Sequence, residues 1–419
     1  MRILYVSPHF PPDLGALATR VHELTRRWAA EGHEVHVLCG LPHHPHGRVP
    51  EAYRGRGTVH EEVDGVHVHR AWLYAAANRG LLKRSLGFLS FALSTLLVGR
   101  RLPRPDVVIS TSPQFLSGLA GALLAKWLRV PLVVEIRDLW PRSIWEVGAL
   151  KRDSLVIRAL EVLERWLYRA ADRLVVVTET FQEEILEKVP RDPADLALVT
   201  NGVDFERFDP VQDDRPIRAR LGVPEEAFVA LYAGTHGMAH GLDTVVEAAR
   251  RTPEAHFVLV GDGACKADLM AEGRDVDNLQ FLDAQPAEAM PALYAMADVC
   301  LVPLRDLPVF RTVIPSKIFE IWAMERPVIL GVEGEARRIV EAAGGGIPVA
   351  PEDPVALAAA VRKLGKDPEL RAALGAAGRF HARRFYDRDL LAARFLHVLA
   401  DAAGQGEPPP TPEEAWAAK

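Results

Sequence analysis

The chain has only three cysteines, Cys39, Cys265 and Cys300, far apart and in no C-x-x-C pair. That set supports neither a disulfide framework nor a thiolate zinc site, and it suits a reducing cytosol. Long apolar runs are missing as well. The strongest, Leu86–Gly99, is about fourteen residues against the roughly twenty a spanning helix needs, and Lys83, Gly87, Ser90 and Ser94 mark it with polar or small residues at helical spacing. Residues 2–7 are apolar but run into Pro8, Pro11 and Pro12 with no small-residue cleavage site, so a first strand is expected there rather than a signal peptide. An excess of positive charge is absent: 50 Lys+Arg stand against 56 Asp+Glu, for a net charge of −6, which argues against a nucleic-acid partner. No Walker A loop occurs, and Ser7, Ser112 and Ser143 lack a G-x-S-x-G context, which removes P-loop and serine-hydrolase chemistry.

What remains is a globular composition, 49% hydrophobic and 25% charged, spread over 419 residues, more than one core normally holds. Short apolar β-rich runs alternate with helical patterns, the mark of parallel α/β folding. Strands are expected at 2–7, 34–39, 66–70, 106–110, 131–136 and 173–178 in the first half. In the second they are expected at 196–200, 228–233, 256–261, 278–282, 298–303 and 327–331. Pro190 and Pro193 break a helical pattern between the halves. The expected architecture is therefore two doubly wound, Rossmann-like domains facing each other across a cleft, 1–190 and 191–384. A C-terminal helix near 385–403 packs back on the first domain. A proline-rich tail, 404–419, reads as disordered.

Two such domains suggest a ligand at the carboxyl ends of their strands. A dinucleotide fingerprint is not present: the first βα turn has one glycine, Gly15, and Gly261-Asp262-Gly263 is followed by Ala264, Cys265 and Lys266. Pro315-Ser316-Lys317-Ile318-Phe319-Glu320 is more informative, because proline suits a first helical turn whose N–H groups and dipole favour a diphosphate. Lys317 adds a full charge there, and Glu320, on the same helical face, offers a carboxylate to a ribose diol. Such a pairing describes a nucleotide-sugar site, and equally an ordinary surface Lys–Glu pair.

Several further pieces occur in a telling order. They are Ser7-Pro8-His9-Phe10-Pro11-Pro12 with Gly15 and Thr19-Arg20, Gly32-His33-Glu34-Val35, Arg137-Asp138-Leu139-Trp140-Pro141 and Asn201-Gly202-Val203-Asp204. Tyr232-Ala233-Gly234-Thr235-His236-Gly237, Gly261-Asp262-Gly263 with Lys266, Ala297-Asp298, and Pro315-Ser316-Lys317 with Glu320 complete the set. Over roughly residues 1–400 the chain resembles a family 4 glycosyltransferase of the GT-B fold, in the WbuB-like branch of polysaccharide-assembly enzymes. The resemblance implies that Gly15 lets backbone approach the donor diphosphate or acceptor and that Asp138 meets the acceptor and transferred sugar. It also implies that Gly234, Thr235, His236, Gly263 and Lys266 line the phosphates, with Ser316 and Lys317 neutralising the leaving group and Glu320 holding the ribose. Two departures stand out: Thr312 occupies a position where many relatives have Glu, and Thr235 and His240 replace an Arg and a Lys.

The resemblance further implies a retaining, metal-independent transfer. It points to an N-acetylated hexosamine or deoxyhexosamine, taken from a UDP-sugar co-substrate and passed to a lipid-linked saccharide acceptor, with no metal or cofactor. Consistently, no D-x-D lies near the Lys317 helix, and Asp106, Asp213, Asp214, Asp275 and Asp277 read as solvated turns. Two alternatives stay open: a GT-B sugar-nucleotide epimerase or hydrolase, and a non-catalytic sugar-nucleotide-binding subunit. Other residues carry two readings. His43, His44 and His46 sit in a loop with no carboxylate at ligand spacing, so no metal site is expected, and His9 either lines the cleft or packs. Asp138 either faces the cleft or pairs with Arg137 or Arg142. Trp140, Trp145 and Tyr74 either stack on an acceptor or pack, while Glu161 and Glu164 read as a solvated helix face among Arg158, Arg165 and Arg169. Between Asp64 and Asp106 no acidic residue occurs, whereas Arg70, Arg79, Lys83, Arg84, Arg100, Arg101 and Arg104 do. This basic 79–104 region is expected either to dock an anionic membrane surface, making a cytoplasmic protein peripheral, or to form a solvated helix.

Overall fold

The computed structural model describes residues 1–44, 47–75, 81–112, 114–146, 150–210 and 215–406. His46, Arg79, Asp213, Asp214 and residues 407–419 of the expected tail lie outside these. The chain divides into two compact units, one formed by Met1–Asn201 with the described part of Arg388–Lys419, the other by Gly202–Asp387.

In chain order the first unit comprises β1 (Arg2–Val6), α1 (Ala16–Ala30), β2 (Glu34–Gly40), β3 (Thr58–Val63), β4 (Val66–Ala71), α2 (Leu81–Gly99) and β5 (Val107–Thr111). It continues with α3 (Phe115–Leu128), β6 (Leu132–Ile136), α4 (Arg142–Glu146), α5 (Leu155–Ala170), β7 (Arg173–Val176), α6 (Glu179–Lys188) and β8 (Leu196–Leu198). The sheet order is β3-β4-β2-β1-β5-β6-β7-β8, parallel except for the β3–β4 hairpin. β3 is not legible as a strand because its pattern is half exposed and charged. Its turn is, in retrospect: Asp64 and Gly65 both take positive φ, 50° and 76°, as a two-residue hairpin requires. β8 corrects an expectation. The run at 196–200, read as opening the second domain, instead pairs with β7, so the first sheet extends past Pro193 and the boundary falls at Asn201 rather than 190.

The second unit runs α7 (Arg215–Leu221), β9 (Val229–Ala233), α8 (Leu242–Arg251), β10 (His256–Val260), α9 (Lys266–Glu272), β11 (Leu279–Leu282), α10 (Met290–Met296) and β12 (Val299–Pro303). Next come α11 (Lys317–Ala323), β13 (Val328–Gly331), α12 (Glu335–Ala343), β14 (Gly346–Pro348), α13 (Pro354–Lys366) and α14 (Pro368–Phe385). Its sheet, β11-β10-β9-β12-β13-β14, is wholly parallel among the described residues. Both sheets are covered on each face, which is why strands such as Val107-Val108-Ile109 read as continuous apolar runs.

The chain then returns to the first unit as α15 (Arg388–Ala402). Trp28 of α1 explains the docking: its ring meets Phe395 edge-on at 5.4 Å, and its Nε1 donates to the Ala392 carbonyl at 2.9 Å. Burying an indole needs both an apolar wall and an acceptor, and α15 supplies the two together.

Candidate functional site

In the second unit the strand order reverses between β9 and β12, the place where open parallel sheets leave a crevice beyond their carboxyl ends. The loop Gly234–Gly237 leaves β9 at that point. Lys317, at the start of α11, reaches back to it: its Nζ donates to the Ala233 carbonyl at 2.8 Å and stands 4.3 Å from the centre of the Tyr232 ring. The side chain is half-buried, and burial pushes its ammonium down to about 8, against the opposing pull of Glu320. A cation held this way gains from any anion that arrives beside it.

Glycine is required at this loop for close approach. A Cβ on Gly234 would stand 2.6 Å from Lys317 Nζ, and one on Gly261 would stand 1.8 Å from the Gly234 carbonyl oxygen. Gly263 is pressed against the His236 backbone, whose N–H donates to the Asp262 carbonyl and whose carbonyl accepts from Cys265. Thus the β9 and β10 loops are stacked backbone on backbone, leaving Thr235 exposed at the top, its carbonyl accepting from the Tyr232 hydroxyl at 2.8 Å.

Three expected ligands take other duties. His236 is wholly buried beneath the loop, packed near Tyr232 and Phe281, and burial lowers its pKa with the help of Lys266. Lys266 places its three N–H bonds on the carbonyls of Gly261 and Leu282 and the carboxylate of Asp283, and so braces the loop. Thr312 turns its hydroxyl onto the Val309 carbonyl. The start of α11 also differs from expectation. Ser316 is already helical and makes no side-chain cap, while the Ile318 and Phe319 amides bond the carbonyls of Pro315 and Ser316. With those N–H groups taken, and a helix of 7 residues, the positive character here rests on Lys317. Glu320, one turn on and half-buried, accepts from the Tyr294 hydroxyl at 3.2 Å. His240, near Tyr232, has its pKa lowered by burial and by Lys317.

Gly15 and Asp138 belong to the first unit. Gly15 precedes α1, exposed, with φ 132° and the His44 ring nearby. Asp138 is half-buried in the turn after β6, its carbonyl accepting from Trp140 N–H at 3.2 Å. Trp140 packs parallel to Phe115, whereas Trp145 lines a cavity of about 410 Å³ with Arg142, Arg152, Glu164 and Lys188. Glu164 is a correction: it is buried, accepting from Tyr168 and Lys188, with burial raising its pKa. Sequence reading also missed Glu135, hidden in the apolar run of β6. It is fully buried and accepts from Arg20 Nε at 2.6 Å, Tyr5 at 2.6 Å and Thr111 at 2.8 Å.

Two Rossmann-like sheets, the second with a glycine–lysine loop at its switch point, are the parts of a GT-B fold. The fold matches sucrose-phosphate synthase of Thermosynechococcus elongatus with a TM-score of 0.76 at 20% identity, covering 96% of this chain and 98% of that one. It also matches Anabaena HepE in complex with UDP, with a TM-score of 0.72 at 16% identity, covering 96% and 100%. The family model described as "Glycosyl transferase 4-like domain" matches residues 15–202, and "Glycosyl transferases group 1" matches 213–381. The probable glycosyltransferase WbjE of Pseudomonas aeruginosa is 30% identical, covering 68% of this chain and 72% of that protein. The putative colanic acid biosynthesis glycosyl transferase WcaI of Escherichia coli (strain K12) is 28% identical, covering 95% and 100%. The chain belongs to this glycosyltransferase family and is an enzyme of the glycosyl-transferring class.

Proposed function

We propose that this enzyme moves an N-acetylated hexosamine or deoxyhexosamine from a UDP-sugar to a lipid-linked saccharide during surface-polysaccharide assembly, with retention and without a divalent ion. The observation that carries the reading is Lys317, a half-buried ammonium at the sheet reversal with a pKa of about 8, beside a loop that only glycine can form. The UDP complex of the HepE neighbour supports the base, and the similarity to WcaI and WbjE supports a glycosyl transfer, the former in colanic acid biosynthesis. The sugar and acceptor follow from the WbuB-like resemblance.

In this mechanism the acceptor hydroxyl attacks the anomeric carbon on the face the diphosphate leaves. The sugar–phosphate C–O bond breaks, and the hydroxyl proton passes to the departing phosphate oxygen. Lys317 stabilises the charge that grows on the diphosphate, a fixed cation in a partly dehydrated site being worth far more than in water. Glu320 accepts from the ribose diol, Thr235 and Ser316 border the phosphates, and Asp138 serves the acceptor side. The surface for the acceptor's lipid is α2. Leu86, Leu89, Leu93 and Leu97 form an exposed stripe, while Ser90 turns inward to accept from the Tyr74 N–H. Among the described residues no helix is long and apolar enough to cross a membrane; the leucine stripe with its basic flanks is what supports α2 lying on a membrane surface.

A thermal-shift screen against UDP-, GDP-, ADP- and dTDP-sugars tests the base, since a ligand at a hundred times its Kd adds about 2.7 kcal/mol. UDP-sugars should raise Tm most. A UDP-sugar incubated without acceptor should stay intact; rapid release of free UDP or an epimerised sugar would replace this reading with a hydrolase or epimerase.

A further inference from the structure

Strands β1 and β2 pair side by side through Val6 and Leu38, so the loops that follow them leave the sheet together. The first loop carries His9 and Asp13, the second His43 and His44. Asp13 is buried, and its Oδ1 accepts from the backbone N–H groups of His43 and His44 at 2.7 and 2.8 Å. Its Oδ2 lies 2.7 Å from His9 Nδ1. The His43 ring meets the Leu41 carbonyl through Nδ1 at 2.9 Å. A carbonyl only accepts, so Nδ1 is the donor and Nε2 keeps its lone pair. One ligand atom from each of His9, Asp13 and His43 falls within 4.8 Å of the others.

We propose that His9, Asp13 and His43 bind one divalent transition-metal ion of the zinc class. Two imidazole nitrogens and a carboxylate oxygen make the donor set that zinc favours. The outer partners are already in place: the Leu41 carbonyl fixes the His43 tautomer, and two amides orient the Asp13 carboxylate. To bind through Nδ1, neutral His9 carries its proton on Nε2, so uptake of the ion exchanges the Nδ1–Asp13 hydrogen bond for a shared metal with no net loss of a proton from the ring. Three protein ligands leave a fourth position for water, with the His44 ring, 4.8 Å from that of His9, walling one side. The ion ties the segment leading to Gly15 to the loop after β2, reinforcing the bond from Leu14 N–H to the His44 carbonyl. It takes no part in the transfer step, so the proposal stands apart from the donor reading. The histidine run seemed to lack a carboxylate because Asp13 comes from a different loop, 30 residues before His43.

The test is calorimetric titration of the full chain with Zn²⁺ alone, repeated on Asp13→Asn, His43→Ala and the control pair His60→Ala/His67→Ala on the neighbouring sheet surface. One equivalent should bind to the wild type, weaken by about a hundredfold in the first two variants, and persist in the control. Zinc-edge anomalous density from wild-type crystals, which needs no variant to fold, should peak between His9, Asp13 and His43. No bound equivalent, an equivalent kept by Asp13→Asn and His43→Ala or lost in the control, or anomalous density only elsewhere would each overturn the proposal.

Discussion

Lys317 Nζ sits 2.8 Å from the Ala233 carbonyl oxygen and 4.3 Å above the Tyr232 ring, two partners that welcome a proton on the amine without neutralising its charge. An arriving diphosphate completes the set. Lys317→Ala should therefore lower kcat by about 10²–10³, the usual loss for a group aimed at transition-state charge. The pH dependence has a definite sign. If UDP binds the protonated amine, its affinity falls as pH rises through about 8, and Lys317→Ala flattens that profile. Stability moves the other way: between about 8 and the ordinary lysine value the unfolded chain holds a proton the folded chain has lost, so unfolding free energy rises with pH there. Isothermal titration with UDP and denaturant melts at several pH values check both directions.

Gly261→Ala places a methyl group 1.8 Å from the Gly234 carbonyl oxygen, which is backbone and cannot swing aside. The expected cost is about 1–3 kcal/mol of overpacking, together with weaker UDP binding as the β9 loop shifts. Gly55→Ala is the reference, because its φ is also positive, 73°, but nothing lies within 4 Å of the added carbon. If the two variants melt alike and both retain UDP affinity, the loop is not held by that contact.

Arg20 and Glu135 form a buried ion pair at 2.6 Å, and Arg20 also donates to the carbonyls of Val199 and Thr200. Removing one partner leaves a buried charge, so Glu135→Ala should destabilise the first unit by about 3–5 kcal/mol. Burial pushes the Glu135 carboxyl up, but Arg20, Arg137 and the Tyr5 hydroxyl together hold it below its usual value. Its contribution is thus present above the ordinary glutamate range and is lost as acid protonates it. A double-mutant cycle with Arg20→Met, read by denaturant melts, should return a coupling well above that of an exposed pair.

The alternation of apolar runs and helical patterns made the two parallel sheets legible, and Lys317 and Glu320 could be picked out because a charged residue followed a proline at a helix start. What escaped was set by distant neighbours. β3 is an edge strand whose exposed alternation carries no apolar run, and β8 was misassigned because sheet membership depends on pairing with β7 rather than on local composition. The loop contacts of Lys266 could not be read either, because the Gly261 and Leu282 carbonyls reach it from the ends of neighbouring strands, and Glu164 looked solvated because Lys188, which meets it, lies 24 residues away. Helical period showed a polar stripe on α2 but could not say which face looked inward.

The transfer step proposed here draws its charge from Lys317, so EDTA should leave turnover of a purified, donor-saturated enzyme unchanged. Loss of activity that Mg²⁺ or Mn²⁺ restores would show that a divalent ion shares the work of Lys317, and the mechanism would need that ion at the diphosphate.

The α2 face gives the last prediction. Leu86, Leu89, Leu93 and Leu97 recur at helical spacing and stand exposed, while Phe91 and Thr95 are buried. The helix is thus apolar on its solvent face as well as its inner one, unlike the usual surface helix, and the exposed basic residues Lys83, Arg100, Arg101 and Arg104 flank it. Leucines that enter the headgroup boundary and arginines that meet anionic lipid act additively, the arginines at about 1 kcal/mol each near the surface. Vesicles containing anionic lipid should therefore sediment the enzyme, and zwitterionic vesicles much less. Arg100→Gln/Arg101→Gln should weaken binding by about tenfold or more at low salt and lose less as salt rises. Leu89→Glu/Leu93→Glu should abolish sedimentation at any salt while transfer to a water-soluble acceptor continues. Should that leucine variant still pellet with anionic vesicles, α2 is not the docking face.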